Sequence, residues 1–109
     1  MATALKVLGQ SNPSATTATD LYTVPAATST VCSSLVVCNR SATPTTFRVS
    51  VRVAGAGADN KQYLFYDAPI AGNDSLTLTI GIALATTDVV TIYAGAATLS
   101  FNLFGQENS

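Results

Sequence analysis

The chain has 109 residues, enough for one domain with a real core but too few for two. Hydrophobic residues make up 48% and charged residues only 10%, against roughly 25% in an ordinary soluble domain, and the formal net charge is −1. Five scattered basic residues cannot neutralise a run of phosphates, which argues against nucleic-acid binding, and the absence of histidine excludes a serine–histidine–aspartate triad.

From the N-terminus, MATALKVLGQ holds one lysine and no long apolar run, so no secretory signal is expected and synthesis in the cytoplasm follows. A strand is expected at 3–8. The next stretch, GQSNPSATTAT (9–19), is polar, aperiodic and carries a proline. It reads as a loop or extended arm. Residues 1–19 are thus expected as an N-terminal strand and arm, with a β-sandwich domain at 20–109.

Short strands are expected at 20–24 and 30–38, the second containing VCSSLVVC. Its two cysteines, Cys32 and Cys38, are the only ones in the chain. In a continuous strand they lie about 20 Å apart, whereas a disulfide needs Cα atoms within about 7 Å. A zinc site would lack ligands and a nucleophilic thiol would lack a histidine base. Both cysteines therefore read as small packing residues, with bridging between subunits as the alternative.

In TTFRVSVRVA, Phe47, Val49, Val51 and Val53 alternate with Arg48, Ser50 and Arg52, giving a half-buried strand at 45–54. The glycine-rich AGAGADN leads to a strand at 61–68. A hairpin with Val53 opposite Gln62 would set Val51 against Leu64 and Val49 against Tyr66. Tyr63, Phe65 and Asp67 would then stand beside Arg52, Ser50 and Arg48 on the other face. The run YLFY is apolar on both faces, so two of its side chains must be covered by an arm, a loop or another subunit. Tyr63, Phe65 and Tyr66 are accordingly the candidate anchors of an interface. Arg48, Arg52 and Tyr63 form a candidate sugar- or partner-binding patch, for which an Arg48–Asp67 cross-strand pair on a solvated face is the plainer reading.

The remaining strands are expected at 75–84, 88–93 and 97–104. AGAA would close a hairpin with Tyr93 opposite Thr98, Ile92 facing Leu99 and Val90 facing Phe101. The apolar window IGIALATTDVVTIYAG is broken by threonines and Asp88, so no membrane-spanning helix is expected. Eight short strands without helices predict an all-β antiparallel sandwich in a single domain.

No chemistry stands out. Asp20, Asp59, Asp67, Asp74, Asp88 and Glu107 fall mostly at turns or strand ends, where aspartate caps backbone, so an acid–base pair is the weaker reading. Gly55 and Gly57 match only a fragment of a phosphate loop. Asn39-Arg40-Ser41 and Asn73-Asp74-Ser75 fit the glycosylation pattern but read as chance matches in turns. No metal, cofactor or enzymatic activity is expected. A surface filled with Thr, Ser and Ala in place of Lys and Glu loses little when covered, which favours an oligomer or lattice component.

The segments LYTVPA, SSLVVCNRS, TTFRVSV, YLFYDAPIAGNDS, TDVVTIYAG and LSFNLFG, spread over residues 20–106, resemble small structural proteins of tailed bacteriophages. The resemblance implies a β-sandwich virion protein made in the host cytoplasm. It implies a capsid decoration, or cement, role: a homo-oligomer, commonly a trimer, that bridges subunits of the major capsid protein. The alternative it implies is a tail or baseplate adaptor, or a receptor- or glycan-binding module using Arg48, Arg52 and Tyr63.

Overall fold

The computed structural model describes residues 3–109. The chain runs through β1 (Thr3–Ser11), β2 (Thr19–Thr23), β3 (Ser29–Asn39), β4 (Thr45–Arg52), β5 (Tyr63–Ile70), β6 (Ser75–Leu84), β7 (Val89–Ala94) and β8 (Leu99–Asn108). Alternating apolar and small polar residues, rich in valine and threonine, favour this pleated backbone. The β4–β5 loop contains two short 3₁₀ turns, Val53–Gly55 and Asn60–Gln62. The second is closed by a capping box in which Asp59 and Gln62 bond each other's backbone amides. Asp88 ties the first to the β6–β7 turn, accepting from the amides of Ala54 at 2.8 Å and Ala85 at 2.9 Å.

The strands form two four-stranded antiparallel sheets, in the orders β1-β8-β3-β6 and β2-β7-β4-β5, packed face to face as a β-sandwich. The pairing is nested: β1 with β8, β2 with β7, β3 with β6 and β4 with β5. The chain thus resembles one long hairpin, with the β4–β5 loop at its tip, rolled up on itself. That strand order is the jelly roll.

Nesting overturns the expected β7–β8 hairpin. Those strands lie in different sheets, with β7 between β2 and β4 and β8 between β1 and β3. Val90, Ile92, Leu99 and Phe101 are all buried as expected, but the two pairs belong to opposite layers of the core. The β4–β5 hairpin does form, and its register matches the expectation at Phe47↔Ala68. Two breaks then shift it, to Val49↔Phe65 and Ser50↔Tyr63. Asp67, at φ 49°, sits in the first break. The consequence is that Phe65 turns inward and packs on Phe47 with ring centroids 6.1 Å apart.

Residues 9–19 are strand at their start and loop beyond it. Gly9, Gln10 and Ser11 continue β1 along β8, and Gln10 donates to Asn102 at 2.7 Å. Pro13 is buried, and the Thr16 amide donates to the Ala94 carbonyl at 2.8 Å. Residues 1 and 2 of the expected arm lie outside the described residues.

Between the sheets, Leu35, Val37, Leu99, Phe101 and Leu103 meet Phe47, Val49, Val90 and Ile92, all essentially inaccessible to solvent. Phe47 meets Phe101 edge-on across the core at 6.2 Å. Gly105 lies in β8 where a Cβ would stand 2.2 Å from the Val31 carbonyl oxygen, so only glycine lets β3 and β8 approach there. Polar side chains also reach this interior, among them Thr30 and Asn39. The Asn39 amide donates to the carbonyls of Thr43 (2.9 Å) and Ala71 (3.2 Å), and its Oδ1 accepts from the Ser41 amide and the Thr98 hydroxyl. Buried and fully engaged, Asn39 pins three loops together and is closed to glycosylation in the folded chain.

Candidate functional site

The two outer faces of the sandwich differ in chemistry. The second sheet presents Asp20 from β2, Thr91 and Tyr93 from β7, Arg48, Ser50 and Arg52 from β4, and Tyr63, Tyr66 and Asp67 from β5. Arg48 Nε lies 2.7 Å from Asp67 Oδ1, and its guanidinium sits 4.2 Å from the Tyr66 ring centroid and 4.3 Å from that of Tyr93. Hydrogen bonding to Asp67 pushes the guanidinium further above its ordinary pKa, so it stays charged. Tyr63 and Tyr66 stack edge-on at 4.9 Å. Arg52 donates to Thr91 (3.1 Å), Asp20 (2.9 Å) and the carbonyls of Gly55 and Ala56 (3.1 and 3.0 Å), pinning the β4–β5 loop. A cleft of about 200 Å³ opens between Asp20, Ser50, Arg52, Gln62, Tyr63 and Thr91.

The structure therefore brings Arg48, Arg52, Tyr63 and Tyr66 onto one face and removes Phe65 from it. The Arg48–Asp67 pair stands where the sequence placed it. Each arginine already has a carboxylate partner, so the face carries little spare positive charge.

The first sheet is unlike this. Its four strands contain only two charged residues, Lys6 and Glu107, which pair with each other at 2.6 Å. Glu107 also accepts from the Tyr22 hydroxyl at 2.5 Å, drawing this group toward the second sheet. The Lys6 and Tyr22 contacts hold the Glu107 carboxyl below its ordinary pKa. Burial, with help from Glu107, pushes the Tyr22 phenol up to about 12.

The outer surface of this sheet is left to uncharged side chains. Near the β1 edge it is apolar: Leu5 is 80% exposed, Val7 47% and Val31 45%, with half-buried Phe104 between them. These residues, with Lys6, Ser33, Gly105 and Gln106, line a shallow groove of about 590 Å³. Toward β6 the same face turns to Ser75, Thr77 and Thr79.

The sequence reading missed this patch. The alternation Thr3-Leu5-Val7 was a signal for it, but Val31 was hidden by a register shift in β3 between Cys32 and Ser34. Inward positions run Thr30 and Cys32 before the shift, then Leu35, Val37 and Asn39 after it. Cys32 and Cys38 consequently face opposite sides of the sheet, and both are free. Burial pushes the Cys32 thiol up to about 11, the behaviour of a packing residue.

Among the described residues no three His, Cys, Asp or Glu side chains converge as a metal site, and no helix is long and apolar enough to cross a membrane. Compared with family models, with curated proteins and with solved structures, the chain matches none.

Proposed function

We propose that the chain is a structural subunit of a tailed-phage virion, acting as a capsid decoration protein that binds sister subunits and bridges the major capsid protein. The observation that carries this reading is the largely uncharged outer face of the first sheet, with Leu5, Val7 and Val31 exposed around half-buried Phe104. The one charged residue along it, Lys6, is already paired with Glu107, and each Å² of apolar surface removed from water contributes roughly 25 cal/mol before the costs of association. The fold is compatible by analogy, since jelly rolls serve in viral capsids, though also in lectins and cupins. Weak contacts suffice on a shell, where repetition converts them into avidity.

The test is copy number: quantitative mass spectrometry of purified particles, normalised to the major capsid protein. A value comparable to the capsid protein supports decoration, and absence from the particle rejects a virion role. A value on the scale of one tail ring supports the second reading, a tail or baseplate module that binds glycans. That reading draws on the cleft beside Tyr63, where an aromatic ring adjoins Asp20, Arg52 and Gln62. It requires saturable saccharide binding that Tyr63→Ala abolishes.

A further inference from the structure

We propose that β1 is a self-association strand: two copies of the chain pair antiparallel through their β1 edges, joining two first sheets into one continuous eight-stranded sheet. The proposal rests on the reading of the chain as a self-associating structural subunit, and names the contact.

The sandwich has four edge strands, β1 and β6 in the first sheet, β2 and β5 in the second. An edge strand offers a row of unpaired backbone donors and acceptors, and proteins that remain monomeric blunt it with charge, proline, bulges or shortness. Three of the four edges are blunted here. β2 has five residues and a register break between Asp20 and Tyr22. β5 carries Asp67 at positive φ, Pro69 and two register breaks. β6 is bent at Gly81, whose φ is +52°, and turns Ser75, Thr77 and Thr79 outward.

β1 carries only two such guards, the paired Lys6 and a register break between Val7 and Gly9. From Thr3 to Val7 it runs in unbroken register against β8, with no proline, and its one charge is held by Glu107. The irregularity at Leu8 comes after this stretch. Leu5, the most exposed large apolar side chain among the described residues, sits at its middle.

The occupant that fits is a second copy. An ionic partner finds no free charge on this strand, whereas the strand complements itself. In an antiparallel pair centred on Leu5, Leu5 meets Leu5, Thr3 meets Val7, and Ala4 meets Lys6, so the two lysines do not oppose each other. The apolar patches then become continuous across the two-fold axis, which pairing through the threonine-lined β6 edge would not achieve. Five paired residues bury less than the roughly 800 Å² per partner of a standard interface, so the dimer is expected to be weak, on the order of 10 μM. An isologous contact closes at two copies. A trimer, as the resemblance implies, would need a second and different contact.

Sedimentation of the isolated chain between about 1 and 100 μM tests the pairing. The wild type is expected to pass from monomer toward twice its mass. Leu5→Lys and Leu5→Glu are each expected to stay monomeric with unchanged circular dichroism, since Leu5 is exposed. Mixing the two variants is expected to restore the dimer, and Tyr66→Lys, on the opposite face, to dimerise like wild type. A wild type that stays monomeric overturns the proposal, as does dimerisation of either Leu5 variant alone or failure of the mixture to dimerise. Particle copy number is read independently. Shell-level copies with a monomeric wild type would reject the pairing and keep the decoration reading; a charge-swapped dimer from a chain absent from particles would do the reverse.

Discussion

Glu107 joins three parts of the molecule through one carboxylate: β8 on which it sits, Lys6 of β1 and Tyr22 of β2. Because its folded pKa lies below the unfolded value, its ionised form stabilises the fold above the usual carboxylate range. That contribution is lost as pH falls through the folded pKa. Glu107→Gln should therefore be less stable than wild type at pH 7, by about 1–2 kcal/mol for the loss of charge-assisted hydrogen bonds. The difference should shrink below pH 4 as wild-type Glu107 protonates. Tyr22 acts with the opposite sign. Its raised pKa means that stability present below pH 10 is lost as the pH rises toward about 12. Urea unfolding of both chains from pH 3 to 8 checks the first claim, and a gap that stays constant with pH would refute it.

At the scale of elements, β5 separates what a period-two pattern can tell from what it cannot. A continuous register turns Tyr66 toward the core and Phe65 toward solvent; the two breaks reverse both. Phe65→Asp should accordingly cost more than about 4 kcal/mol, placing a carboxylate against Phe47. Tyr66→Asp should cost less than about 1 kcal/mol, mainly its stacking with Arg48 and Tyr63. Urea midpoints of the two variants in the reverse order would restore the unbroken register. The eight strands were legible from alternation, clearest in β4, β6 and β8, together with β-branched composition and the turns between them. Their partners were not legible. Val90, Ile92, Leu99 and Phe101 point into the core whether β7 and β8 lie side by side or across from each other, so burial pattern alone does not choose. Bulges leave even less trace, since Ser33, Leu64 and Asp67 are unremarkable at the positions where register shifts. The same limit governs the candidate site. Arg48, Arg52 and Tyr63 were placed on one face because they lie on either side of one true hairpin. The Leu5–Val7–Val31–Phe104 patch unites the chain's two ends with β3, and becomes visible only once the nested pairing is known.

For the molecule as a whole, nesting sets the order in which the fold can close. Bringing β1 to β8 from an unfolded chain means closing a loop of nearly the whole sequence, whereas β4 and β5 are separated only by the 53–62 loop. Loop-closure entropy is lowest at the tip, and each pair formed there shortens the loop remaining for the next. Zipping from β4–β5 outward through β3–β6 and β2–β7 to β1–β8 is therefore the least costly route. An all-β chain with so many distant pairings should fold in milliseconds to seconds, on the order of 1–100 per second. Core truncations should then divide by position. Val49→Ala, at the tip, should slow refolding in proportion to the stability it removes. Leu8→Ala, on the last strand to dock, should leave refolding nearly unchanged and speed unfolding. Stopped-flow tyrosine fluorescence of the two variants measures both limbs. Slowed refolding for Leu8→Ala, without it for Val49→Ala, would mean that the chain ends meet first and the roll closes inward. It would also mean that β1 is an open edge from the first pairing onward, whereas in the tip-first order β8 lies exposed until β1 covers it and presents its own edge in its place.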